Sequence, residues 1–193
     1  TQMADEWRLM DVFLKRPRSG RGGLGVSSAT TSHSLLTLRE LTDFTEPSFL
    51  LSVLGEGTFV DLLGFIEEHA PDEVTADIVR RARNDETRHV HFGQVHVRHA
   101  LAHDPGLYTR LENAVRRRAT RMAGVGGIPE PLQDGLTILA AGSTCPKSVA
   151  QGHDAFRTLL DQMHQNRARR LEHAGFSSEQ ALRISELHTP NFM

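Results

Sequence analysis

Residues 56–89 read EGTFVDLLGFIEEHAPDEVTADIVRRARNDETRH, two helical segments that carry charge where apolar residues are expected. Leading into the first, Phe49, Val53, Phe59, Val60 and Leu63 recur at three- and four-residue steps, the mark of one buried helical stripe. Glu56 falls inside that stripe, between Gly55 and Gly57. On the second, Ile78, Ala82, Gly93 and Ala100 mark the stripe, and Glu86 and His89 fall within it. Residues three apart share a helix face, so Glu86 and His89 point the same way. An ionised carboxylate in an apolar interior is costly unless it is paired or bound to a metal. Two helices that both bury acids point to a cation between them.

Working outward, residues 1 to about 15 read as a helix end with Met3, Met10 and Phe13 as its apolar stripe and Glu6 between them. The run 15–33, KRPRSGRGGLGVSSATTSH, has no periodicity and reads as a crossover loop. A short helix is expected over 34–44. Pro47 suits the first turn of the helix that carries Glu56, and Pro71 ends it. Asp72 and Glu73 open the next helix, where acids suit the first turn, and Asp104-Pro105-Gly106 breaks it. Further helices are expected over 107–123, over 132–141, from Pro146 to about His173, and from Ser177 to about His188, with a turn at 124–131. No stretch alternates as a strand does. The expectation is an all-α, single helical domain over 1–193, with 105–193 as accessory helices.

Length and composition set the outer bounds. A chain of 193 residues can bury a substantial core, and a net charge of −2 offers no general attraction for nucleic acid or a membrane surface. Cys145 is the sole cysteine, which excludes an internal disulfide and a multi-cysteine zinc site and fits a reducing, cytoplasmic setting. No unbroken apolar run approaches the length of a membrane span, so none is expected. Eleven histidines is a high count, and five of them (His89, His91, His96, His99 and His103) crowd one helix.

The chain also repeats itself. Asp5-Glu6-Trp7-Arg8-Leu9 and Asp85-Glu86-Thr87-Arg88-His89 share Asp-Glu-x-Arg, and Phe13 and Phe92 follow near corresponding positions. With Glu56 between the copies, this pattern resembles the ferritin-like diiron-carboxylate superfamily, which includes multicomponent monooxygenases and the ribonucleotide reductase small subunit. In that architecture a Glu from each of two helices and a Glu-x-x-His from each of two others hold the metals. The resemblance implies a ferritin-like bundle in which Glu6 is the acid of the second helix and Glu56 that of the third. Glu86 and His89 are then the Glu-x-x-His of the fourth, and Asp85 is the carboxylate behind the ligating imidazole. Two departures stand out: Leu9 occupies the place of the first motif's His, and the helix bearing the first Glu would precede Thr1.

The implied function is a diiron oxidase or oxygenase that uses dioxygen to oxidise or hydroxylate a small organic substrate, served by an electron-donor protein and assembled as a homodimer. Manganese, or one ion in place of two iron ions, suits the same donors. The alternative is a ferritin-like scaffold or binding protein with a partial or mononuclear site and no catalysis. His96, one heptad beyond His89, is expected to be a plain polar position of a long helix.

Other signals carry less. Gly20-Arg21-Gly22-Gly23-Leu24-Gly25 satisfies G-x-G-x-x-G but lacks the preceding strand and following helix that a dinucleotide loop needs. The arginine runs within 80–83, 116–121 and 167–170 read as solvated helix faces. Cys145 reads as structural, and 132–141 as core or pocket lining.

Overall fold

The computed structural model describes residues 2–20, 23–25, 29–123 and 128–188, and among these every regular element is a helix. In chain order they are α1 (Gln2–Ser19), α2 (Ala29–Leu38), α3 (Thr45–Glu68), α4 (Glu73–His103), α5 (Leu107–Met122), α6 (Glu130–Ala141), α7 (Pro146–His173) and α8 (Ser178–Leu187). Of the expected turn at 124–131, residues 124–127 lie outside the described residues, and Glu130 and Pro131 already belong to α6.

The starts follow local chemistry. Asp72 caps α4 by accepting from the Thr75 backbone N–H at 2.8 Å. Pro146 sits at the head of α7, where its missing N–H costs nothing. Gly142 ends α6 in the left-handed region, with φ 62°, and donates back to the Ile138 carbonyl. At α8, Ser177 accepts from the Gln180 N–H at 3.2 Å, and the Gln180 side chain accepts from the Ser177 N–H at 2.9 Å. Ser177→Ala removes half of this box and is expected to lower stability by about 1 kcal/mol, read from urea denaturation. A change within 0.2 kcal/mol, on the order of measurement error, would show that the cap is idle.

Boundaries around the first two helices differ from expectation, and the helix expected over 34–44 stops at Leu38. Helix α1 runs on through Pro17 to Ser19, and α2 begins at Ala29, so both ends of the expected 15–33 loop are helical. Pro17 lies in the last turn, where Arg16 and Arg18 favour the helix C-terminus and Arg16 bonds Thr75 and Asp72 on α4. Those tertiary bonds hold a turn that local propensity alone disfavours.

The core lies where α3 crosses the other helices. Phe49, Val53 and Leu54 of α3 are fully buried against Val97 of α4, Leu111 and Val115 of α5, Leu171 of α7 and Ile184 of α8. Burial of each such side chain contributes about 1.5–3 kcal/mol. Leu62 and Phe65 extend the core to Leu136 on α6 and Phe156, Leu159 and Met163 on α7. By length and hydropathy α3 could cross a membrane (mean hydropathy 1.7), and 61% of its most apolar window is buried inside the protein. Ser48, Ser52, Gly55 and Glu56 interrupt its apolar run, which is why no unbroken run of span length stands out in the sequence.

Helix α1 presents the opposite case. Its expected apolar stripe of Met3, Met10 and Phe13 is exposed, together with Trp7. The buried residue of α1 is Leu9, packed on Leu63, Val79 and Ala82. Placing apolar residues in a helical period does not say which element, if any, covers them.

Candidate metal centre

Three helices converge on one polar cluster within this core. Part of α3, Phe49–Glu56, is wound as a π-helix, a form that recurs at functional sites because it re-aims the side chains beyond it. Glu56 is its last residue. Across from it, Gly93 of α4 has no side chain where one would meet Ser52: a Cβ there would lie 2.7 Å from the Ser52 Cβ. That close approach draws the Glu86–His89 turn of α4 toward Glu56. Helix α1 lies along α4 and adds Glu6.

Glu6, Glu56, Glu86 and His89 each offer one donor atom, and all four atoms lie within 4.8 Å of one another. Glu86 and His89 are buried, 8% and 3% exposed, Glu56 is half-buried, and Glu6 reaches in from the exposed side of α1. Three buried atoms face one another without a hydrogen-bond partner: Glu56 Oε2, Glu86 Oε2 and His89 Nδ1. His89 Nδ1 does lie 3.2 Å from Glu6 Oε1 and 3.6 Å from Glu86 Oε2, but not in hydrogen-bond geometry.

Packing acids together raises their proton affinity. Burial first, then the charges of Glu56, Glu6, Asp85 and Asp5, push the Glu86 carboxyl up to about 8. Burial likewise raises Glu56, against the opposing effects of its Ser52 hydrogen bond, the His89 charge and the bond from Gln2 Nε2 at 3.1 Å. A cation in the cluster removes this penalty at its source.

Behind the cluster, the two copies of Asp-Glu-x-Arg interlock. Arg8 bonds both Asp5 and Asp85, and Arg88 bonds the same two carboxylates, so two arginines and two aspartates close a ring between α1 and α4. The carboxylate expected behind His89 was Asp85. In the structure Asp85 is committed to the arginines, and Asp5 instead meets His89, its Oδ2 lying 3.2 Å from Nε2. A residue four before its partner on the same helix is easily pictured as its neighbour, yet here the contact comes from the other helix. The bond from His89 draws the Asp5 carboxyl below its ordinary range, aided by Arg8 and Arg88. The clue to Asp5 lay in the repeat, which places an equivalent aspartate beside each glutamate.

Other expectations resolve plainly. His96 lies outside the cluster, 3.0 Å from the Thr45 hydroxyl and edge-on to Phe44. Leu9 is part of the apolar packing, so no second imidazole enters from α1. Arg118 and Arg167, read as solvated, are 6% and 7% exposed. No protein-family model, curated protein or solved structure matches the chain.

Proposed function

We propose that this protein is a ferritin-like metal-dependent oxidase or oxygenase, with iron (or manganese) held by Glu6, Glu56, Glu86 and His89. The observation that carries the reading is the set of three buried, unpartnered donors at Glu56, Glu86 and His89. Carboxylates joined by one imidazole suit iron and manganese, and two acids that face each other can bridge two ions. Bound there in reduced form, iron or manganese would supply the electrons for dioxygen chemistry on a small organic substrate, and an electron-donor protein would restore them.

The chain's own residues set the conditions. Asp5 Oδ2 lies 3.2 Å from Nε2 of His89; a metal at the cluster would take the neutral imidazole through Nδ1, with Asp5 accepting the Nε2–H behind it. The Arg8–Asp5–Arg88–Asp85 ring holds that acceptor and clamps α1 to α4. Leu9 of α1 packs with Leu63, Val79 and Ala82, an apolar contact that joins α1 to α3 and α4 within a few residues of Glu6 and Glu86. On the exposed face of α1, Met3, Trp7 and Met10 form an open apolar surface with Gln2 and Glu6, where a small apolar substrate would lie beside Glu6.

The test is metal loading. Purified protein is expected to take up ferrous iron in a stoichiometry of one or two per chain, and Glu86→Ala to lose it. Full metal content in that variant would sink the proposal. Asp5→Asn leaves every donor in place and is expected to weaken metal affinity by roughly ten- to a hundredfold, the usual range for a partner behind a ligand. Unchanged affinity in an isothermal titration would remove Asp5 from the site.

A second reading is a scaffold or binding protein with a partial site. The observation favouring it is Leu9, buried in apolar packing where a second imidazole would stand. Metal content well below one per chain after reconstitution selects that reading.

A further inference from the structure

Away from the acidic cluster, the interior carries positive charge that described acids do not balance. Arg167 of α7 is 7% exposed, and among the described residues its guanidinium bonds the Ser185 carbonyl and hydroxyl and the Thr58 hydroxyl, each at 3.5 Å, with no carboxylate in ion-pair contact. Arg170, one turn on, is paired with Asp61 at 2.9 Å. Arg118 of α5 is 6% exposed, and its partners are neutral: the Ser34 carbonyl at 3.2 Å, the Thr37 hydroxyl at 2.7 Å and the Ser34 hydroxyl. Its Nε is buried with no partner. Arg167, Arg118 and Arg170 all act on the imidazole of His188, which burial first, and then these three charges, hold well below its ordinary range. A buried guanidinium without a carboxylate is rare, because its desolvation is repaid only by an anion.

Arg118 also borders a cavity of about 130 Å³ between α2, α3 and α5. The space is several times the ~30 Å³ that one water occupies in the liquid. Around its mouth stand Arg117, paired with Glu46 at 2.8 Å, and Arg121, paired with Glu40. These two pairs cancel, so the charge left over is that of Arg118. Thr37, whose hydroxyl accepts from Arg118, lines the same space.

The geometry points to an anion site in this cavity for a phosphoryl group, with Arg118 at its base and Arg117, Arg121 and Thr37 around it. Planar guanidinium forks match the oxygens of phosphate with two parallel bonds, and a threonine hydroxyl adds a donor once it turns. Glu46 and Glu40 hold the outer arginines in place until the anion competes for them. This site is separate from the acidic cluster and does not depend on the metal reading.

The experiment measures thermal stability at constant ionic strength, with sodium chloride exchanged for inorganic phosphate or for glycerol 3-phosphate. Phosphate near a hundredfold above its dissociation constant is expected to raise Tm by about 7 °C. Arg118→Met is expected to abolish the rise, and Arg116→Gln, which lies outside the cavity, to keep it. If Arg118→Met does not fold, Arg117→Gln with Arg121→Gln serves instead, with binding weakened tenfold or more in calorimetric titration. A larger rise with glycerol 3-phosphate assigns the site to a phosphomonoester, and an equal rise assigns it to free phosphate. No rise beyond chloride with either probe, or the same rise in Arg118→Met, overturns the proposal.

Discussion

Kept free of metal by a chelator, the protein is expected to lose stability as pH climbs from about 4.5 to about 8, the interval between the ordinary and the folded-state values of Glu86. The sign follows from linkage. The folded chain binds the Glu86 proton more tightly than the unfolded chain does, so each rise in pH through this interval favours unfolding. Below it both states hold the proton, and the penalty vanishes. Above it both have lost the proton, and the full cost of a buried carboxylate among Glu56, Glu6, Asp85 and Asp5 is felt. The size is at most about 5 kcal/mol, and less in practice because neighbouring acids share the proton. Glu56, also raised, adds in the same direction. Asp5, lowered, acts oppositely, and its contribution is lost only as pH falls below the ordinary aspartate value of 3.8.

Glu86→Gln keeps the shape and removes the charge. Its urea midpoint is expected to be nearly flat across the same pH interval, and higher than that of the metal-free parent at pH 8. Ferrous or manganous ion added to the parent at pH 8 is expected to restore what deprotonation cost, since the ion takes the protons' place. A parent protein whose midpoint does not fall between pH 5 and pH 8 would show that Glu86 ionises without strain. The cluster would then have no need of a cation.

The second large effect is steric. Helices α6 and α7 touch through Gly152, where a Cβ would run into the Thr137 carbonyl oxygen and lie 2.9 Å from the Ala141 nitrogen and 3.0 Å from the Ala141 Cβ. Two of these neighbours are backbone atoms and cannot rotate away. Gly152→Ala must therefore part the helices and open the packing of Leu136 on Phe156 and Leu159. The expected loss is about 3 kcal/mol, seen as a Tm lower by roughly 8 °C. Gly135→Ala is the control, on α6 at a position with nothing within 4 Å. There the helix gains from the lost backbone freedom of the unfolded chain, and Tm is expected to rise slightly. Equal responses of the two variants would mean that α6 and α7 do not meet at Gly152.

Helix periodicity and punctuation were legible from the residues alone. Pro71-Asp72-Glu73, Asp104-Pro105-Gly106, Pro146 and Ser177 mark starts and stops that the structure places within a few residues of where they were read. Such signals are local, settled by backbone groups that reach no further than one turn. Glu56, Glu86 and His89 were legible for a related reason: a polar residue within an apolar period is conspicuous without knowing what it faces.

What those residues face belongs to tertiary structure. Asp5 rather than Asp85 meets His89 because α1 lies along α4 at one register, and no pattern within either helix sets that register. The arginines at 118 and 167 look like surface charge in sequence, and only the crossing of α5 and α7 with their neighbours buries them. The stripe on α1 shows the converse, since Met3, Trp7 and Met10 have the right period and no helix over them. Residues three or four apart on one helix constrain each other through a rigid backbone, so their chemistry can be read in order. Contacts across 77 or 84 residues, such as Arg8 with Asp85 and Asp5 with His89, depend on how whole helices pack, a balance summed over every side chain in the core.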